Sequence, residues 1–151
     1  MSDNSEPGYT PPDVTLIGDD HVKAYLESAG ETGHEWNGAT CLVLTVKGRK
    51  TGADRSYALI YDVDNSGGEP SYVVVASKGG APTHPLWYLN LSANPEVTVQ
   101  IKGDRFAARA RTAEGEERTR LWELMNRNWP NYDVYATRTD REIQLFALTP
   151  R

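Results

Sequence analysis

Residues 96–112, "EVTVQIKGDRFAARART", alternate strictly. Val97, Val99 and Ile101 fall on one side of an extended chain, and Thr98, Gln100 and Lys102 on the other. Gly103-Asp104 is read as the turn. After it Phe106, Ala108 and Ala110 oppose Arg105, Arg109 and Arg111. Such a hairpin has one apolar face that must be covered, so it commits the chain to a larger sheet. Further strand-like runs rich in Val, Leu, Ile and Tyr occupy 40–47, 55–63, 71–77 and 143–148. "DNSGGEP" joins the second and third of these as a hairpin loop. Antiparallel hairpins therefore dominate, with about six strands. Closing such a sheet removes its edges, so the expected class is a β-rich α+β fold, a small antiparallel barrel flanked by short helices.

The helical signals lie between the strands. "DDHVKAYLESAG" reads as a helix capped by Asp19 or Asp20, with Val22, Tyr25, Leu26 and Ala29 on one face and Gly30 at its end. "TGHEWNG" reads as a loop. "PLWYLNLSANP" is a short helix opened by Pro85. The strongest helix covers roughly 113–127, with Glu114, Glu116 and Glu117 in its first turn and an apolar stripe of Leu121, Leu124 and Met125. Residues 1–18, polar and interrupted by three prolines, are expected to be a mobile tail. Residues 19–151 then form a single domain.

Composition removes several function classes. A formal net charge of −5 argues against a general nucleic-acid binder. No run approaches the roughly 18 apolar residues of a membrane span, and no apolar segment heads the sequence as a signal peptide would. The expected location is cytoplasmic. The single cysteine, Cys41, lies inside an apolar strand pattern, which predicts a buried, inert thiol. His21, His34 and His84 share no ligand spacing, so no metal site is expected. Asn90-Leu91-Ser92 matches a glycosylation sequon that has no meaning without export.

Three stretches carry chemistry. "GRKTGADR", 48–55, lies between two strands and gathers Arg49, Lys50 and Arg55 beside Lys47, with Asp54 as the only opposing charge. One reading is a charged hairpin tip; the other is an anion-binding loop in which arginine forks and Thr51 meet phosphate or carboxylate. It is no Walker A loop, because Arg49 stands where that pattern needs glycine. In "VVVASKGGAPTHPLWYLNL", 73–91, Gly79-Gly80 gives a turn whose N–H groups can face a ligand. The other reading is a glycine-rich turn packed by Trp87 and Leu91. Trp129, Tyr132 and Tyr135 fall nearly along one helical face, either as a core stripe or as the wall of a cavity.

Together these stretches resemble the deazaflavin-dependent nitroreductases, also described as deazaflavin-dependent quinone reductases, of actinobacteria. The resemblance runs from about residue 40 to the C-terminus. It is carried by "LTVKGRKTG", by "VVVASKGGAPTHPLWYLNLSANPEVTVQI" and by "WPNYDVYATRTDREI". It implies a split, flavin-reductase-like β-barrel and coenzyme F-420, a reduced 8-hydroxy-5-deazaflavin, as hydride donor. It further implies that Arg49, Lys50, Thr51 and Arg55 grip the coenzyme's phosphate and polyglutamate tail, joined by Lys78. Ala76, Ser77, Gly79 and Gly80 would line the ring and its linker, with Pro85, Trp87 and Tyr88 around them. Trp129, Tyr132 and Tyr135 would form the substrate wall. Trp129 stands where the nitro-drug-activating member has Tyr, so the resemblance leaves nitroimidazole activation open. Some members touch membrane through the N-terminal region, which is too polar for that here.

The resemblance thus implies hydride transfer to a quinone, an enone or lactone, or a nitroaromatic, with Ser77, Tyr132 and Tyr135 as donors to the oxygen that gains charge. A monomer or weak homodimer acting on a small-molecule acceptor, with no metal and no nucleic acid, is expected. Two rivals stand beside it. One is a non-catalytic carrier of deazaflavin, flavin or haem on the same fold. The other is an enzyme using flavin mononucleotide, which needs fewer cations than this loop offers.

Overall fold

The structure, a computed structural model, describes residues 6–151. The expected tail over 1–18 falls partly outside that range. Within it, residues 6–18 lie against the body. Asn131 holds Thr10 from both sides, accepting from its N–H at 2.9 Å and donating to its carbonyl at 2.7 Å. The Trp36 indole donates to the Leu16 carbonyl at 2.7 Å.

The chain forms α1 (Gly18–Ser28), β1 (Glu35–Trp36), β2 (Ala39–Lys47), β3 (Asp54–Ile60), β4 (Asp62–Asp64) and β5 (Ser71–Val75). It continues through α2 (Leu86–Ala93), β6 (Glu96–Ile101), β7 (Asp104–Thr112), α3 (Gly115–Asn128), α4 (Asn131–Thr137) and β8 (Leu145–Pro150). All pairings are antiparallel. The hydrogen-bonded order runs β3–β2–β6–β7–β8–β5–β4, with the two-residue β1 also on β2. β3 and β4 are two halves of one strand interrupted at Tyr61. The first half pairs with β2 and the second with β5, so chain continuity joins the two ends of the sheet. The result is an antiparallel split β-barrel with four α-helices among the described residues, the class expected from the sequence.

Period-two alternation sorts the apolar residues onto two sides. Leu42, Leu44, Val46, Val74, Val97, Val99, Phe146 and Leu148 share one cluster, into which α2 lays Trp87 and Leu91. Val73, Val75 and Leu145 face the other way, onto Leu121 and Met125 of α3 and the aromatics of α4. The buried strands β2, β5 and β8 therefore read as near-continuous apolar runs, whereas the β6–β7 hairpin alternates. Among the described residues no helix is long and apolar enough to cross a membrane.

Several local expectations shift. The β6–β7 turn is Lys102-Gly103 rather than Gly103-Asp104. Lys102 takes a left-handed φ of 54°, held by its N–H donating to the Tyr25 hydroxyl at 2.8 Å. Asp19 and Asp20 occupy the first turn of α1 instead of capping it. His21 replaces Leu26 on its buried face, because Leu26 points to solvent. "TGHEWNG" contains β1, turned by Asn37-Gly38 with φ of 52° and 82°. Asn-Gly with two left-handed residues is the tight hairpin turn that matches strand twist.

Tyr25 shows how closely the barrel is tied. Its buried hydroxyl accepts from Lys102 N–H and donates to the Cys41 carbonyl at 3.0 Å, joining the β6–β7 turn to β2. Tyr25→Phe leaves the Lys102 N–H without that acceptor. We expect a loss of about 1–3 kcal/mol, read as a lower denaturant midpoint at unchanged slope.

Candidate functional site

The split in the barrel is a cleft. Before Tyr61, β3 pairs only with β2 among the described residues, so its far edge is open. Five consecutive residues, Ser56 to Ile60, line a cavity of about 360 Å³ along that edge. Consecutive lining is what a strand edge presents, since a strand face would contribute alternate residues only. Val75 and Ser77 stand opposite at the end of β5, α1 contributes Gly18, Asp19, His21 and Val22, and Trp129, Tyr132 and Tyr135 come from the α4 side.

Aromatic rings make the walls. Trp36 lies 5.6 Å from Trp129 and 6.1 Å from His21, centroid to centroid. Tyr132 and Tyr135 meet edge to face at 6.1 Å. The Trp129 indole reaches the Tyr135 hydroxyl at 3.4 Å. Both sequence readings of this trio hold at once. Each is at most 8% exposed, packed with Leu121, Met125 and Leu145, and each also lines the cleft. Burial pushes the Tyr132 phenol well above its ordinary range, so it stays a protonated donor. Ser77 lines the cleft with its hydroxyl unpartnered among the described residues.

The turn after β5 shapes the rim. Lys78, Gly79 and Gly80 have φ of 46°, 62° and 82°. A Cβ on Gly80 would stand 2.5 Å from the Tyr135 carbonyl oxygen, so only glycine lets the turn sit on α4. Lys78 is exposed and donates to Thr83 at 3.0 Å. Ser77, Lys78, Gly79, Pro85 and Trp87 line the cleft. Ala76, Gly80 and Tyr88 stand behind it: Ala76 and Gly80 are buried, and Tyr88 stacks on His84 at 4.3 Å and packs on Phe146.

Arg49, Lys50 and Thr51 sit outside the cleft in the exposed β2–β3 turn, and Arg55, exposed at the start of β3, directly precedes the lining residue Ser56. Lys47 is spent on Asp54 at 2.6 Å. Arg49 binds Asn90 twice, its N–H at 3.1 Å and its guanidinium at 3.0 Å from the same side-chain oxygen. Asn90 is buried one turn along α2 from Trp87, so α2 ties the basic loop to the cleft. Among the described residues no carboxylate pairs with Arg49, Lys50 or Arg55.

Sequence reasoning missed His21, Trp36, Asn90, Arg138 and Arg141. Asn37-Gly38 was the signal for Trp36, because it marks a hairpin that orients this ring. The sequon reading hid Asn90, and the guanidinium groups of Arg138 and Arg141 make their hydrogen bonds to residues distant in sequence.

A profile described as F420H(2)-dependent quinone reductase matches residues 19–150. The chain belongs to that family. It is accordingly an oxidoreductase that works with coenzyme F420. It is 38% identical over 135 residues, 87% of this chain and 88% of the relative, to an F420H(2)-dependent quinone reductase of Mycobacterium tuberculosis. A solved F420-H2 dependent reductase shares 40% identity and superposes with a TM-score of 0.64, covering 72% of this chain and 92% of that one. Another solved structure, described as a domain-swapped dimer, shares 36% identity with a TM-score of 0.68 over 85% of this chain and 94% of its own.

Cys41 also touches the cleft, but burial pushes its thiol up to about 12. The thiolate, the reactive form, is therefore scarce at neutral pH. A thiol-specific reagent at pH 8 should leave the folded protein unmodified and label Cys41 fully in denaturant. Rapid labelling of the native protein would contradict this burial.

Proposed function

We propose that this chain moves a hydride from reduced coenzyme F420 to a quinone, and that enones, lactones and nitroaromatics of similar electron deficiency are further acceptors. One observation supports this most strongly. An aromatic-walled cleft opens along a free strand edge, and unpaired cations stand where that strand begins. A flat ring suits the first and a polyanionic tail the second. Bound there, the coenzyme supplies two-electron hydride chemistry at its C5 position.

The protein's own residues bind, orient and donate. Arg49, Lys50, Thr51 and Arg55 hold the tail, with Lys78 reaching toward it from the other rim. Ser77, Gly79, Pro85 and Trp87 line the ring side of the cleft, and Ala76, Gly80 and Tyr88 support that lining from behind. Trp129, Tyr132 and Tyr135 face the acceptor and exclude water from it. Ser77, Tyr132 and Tyr135 donate hydrogen bonds to the acceptor oxygen as it gains charge. The working unit in this reading is a monomer or weak homodimer.

Titration of the purified protein with F420 and with flavin mononucleotide, followed by an acceptor screen that monitors oxidation of F420H2, tests the reading. Tighter F420 binding and quinone-dependent oxidation are expected. Binding with no acceptor-dependent oxidation would make the chain a carrier, and a preference for mononucleotide would remove the cofactor assignment.

Arg49→Ala and Lys50→Ala should each weaken F420 binding several-fold, with the larger effect at low ionic strength, where screening is weaker. Unaltered Kd in both variants would place the tail elsewhere. Tyr135→Phe should lower kcat with a quinone, on the order of tenfold or more, while F420 affinity stays near wild type. Steady-state kinetics beside a thermal melt separates this from loss of folded protein.

A further inference from the structure

The segment "ATRTDREI" after α4 places two arginines behind the Ala76–Ala81 turn. The half-buried Arg141 donates to three backbone oxygens of that turn: Ala81 at 2.8 Å, Ser77 at 2.8 Å and Ala76 at 3.2 Å. Arg138 donates to a fourth, Gly79, at 3.0 Å. Among the described residues Arg141 has no carboxylate partner. Its charge is met by peptide dipoles alone and reaches His84, whose imidazole is held below its ordinary value by burial first and by Arg141 second.

A trans peptide points the N–H of one residue opposite to the C=O of the residue before it. Drawing the oxygens of Ala76 and Ser77 onto Arg141 therefore turns the N–H groups of Ser77 and Lys78 the other way. Both residues line the cleft, and neither N–H meets a protein acceptor among the described residues. A right-handed residue (Ser77, φ −78°) followed by a left-handed one (Lys78, φ 46°) is the backbone form that makes a concave anion or carbonyl site from successive N–H groups. The Ser77 carbonyl also accepts from the Gly80 N–H at 2.8 Å and the Lys78 carbonyl from the Ala81 N–H at 3.1 Å, so it is the Ala76 and Gly79 carbonyls that, without the arginines, would be free to turn toward an anionic coenzyme and repel it.

We infer that Arg141, assisted by Arg138, is a positioning residue of the coenzyme site: it ties back the carbonyls of the 76–81 turn so that the Ser77 and Lys78 N–H groups stay available to an oxygen of the coenzyme. The inference rests on the F420 reading above. Arg141 touches neither coenzyme nor acceptor and acts through the turn. Its planar fork is essential, because a lysine ammonium cannot span three carbonyls in this geometry.

The test is F420 titration of wild type, Arg141→Ala, Arg141→Lys and Arg138→Ala, with thermal melts and with acceptor KM measured at saturating coenzyme. The expected result is a Kd about tenfold or more above wild type for Arg141→Ala, incomplete rescue by Arg141→Lys and a smaller rise for Arg138→Ala. Acceptor KM should stay within about twofold, a split that general loss of structure would not produce. Wild-type affinity in a folded Arg141→Ala overturns the inference alone. Should that variant fail to fold, wild-type affinity in both Arg141→Lys and Arg138→Ala overturns it. Wild-type protein that does not bind F420 overturns the function proposed above, and this inference with it.

Discussion

The interruption at Tyr61 governs the rest of the molecule. One strand must serve two neighbours, β2 before the bend and β5 after it, and the sheet curls because a single chain segment belongs to both ends. The bend is fixed from several sides. Tyr61 N–H donates to the Thr40 carbonyl at 3.0 Å, the Asn128 amide donates to the Tyr61 carbonyl at 3.1 Å, and the phenol meets His34 at 3.1 Å. Because pairing with β5 begins only past this point, the first half of the strand keeps an open edge. An unpaired edge is normally a liability for aggregation. Here it is covered by α1, the β5 turn and the α4 aromatics, and the space left between them is the cleft.

Electrostatics then divides that cleft. The chain is acidic overall, yet Arg120 is matched by Asp64, Arg111 by Glu117 and Arg109 by Glu96, so much of its positive charge is neutralised on the outer surface. The β2–β3 turn keeps its cations unopposed, apart from Lys47 on Asp54. Arg49 is steadied by the neutral Asn90, an arrangement that orients the guanidinium without cancelling its charge. Ionic hydrogen bonds contribute roughly 1.5–3 kcal/mol each. Three or four of them would outweigh the ordering of exposed side chains and still leave useful affinity.

Much of this was legible in the sequence, and the failures have definite causes. Strand periodicity located the barrel strands, because burial on two faces or one leaves a direct trace in the pattern. The glycine-flanked cluster of Arg49 and Lys50 marked the turn between two apolar strands, since Gly48 and Gly52 bracket a polar run that neither strand pattern can absorb. What the sequence hid depends on contacts across long separations. Arg141 binds a turn 60 and more residues away, and Asn90 binds Arg49 across 41. No local pattern signals such a pair. The face of α1 was misjudged for a related reason: His21 outranks Leu26 for burial only because its ring nitrogen meets the Gly33 carbonyl at 2.8 Å and its face stacks on Trp36.

Trp129, Tyr132 and Tyr135 carry the last step of the argument. A residue that only fills a core is optimised for packing, and one that only lines a pocket is optimised for its ligand. These three do both, with one side against α3 and β8 and the other toward the cleft. Truncating any of them to alanine would cost on the order of the 3–5 kcal/mol usual for large buried aromatics, and would reshape the cleft wall at the same time. Large changes in side-chain size at this wall therefore carry a cost in stability. Exchanges among Trp, Tyr and Phe keep an aromatic ring packed there while adding or deleting a single donor. The polarity of the cleft wall is then set by which rings carry a hydroxyl or an indole N–H, and its shape by where Asn131 and Tyr9 fix α4 beneath them.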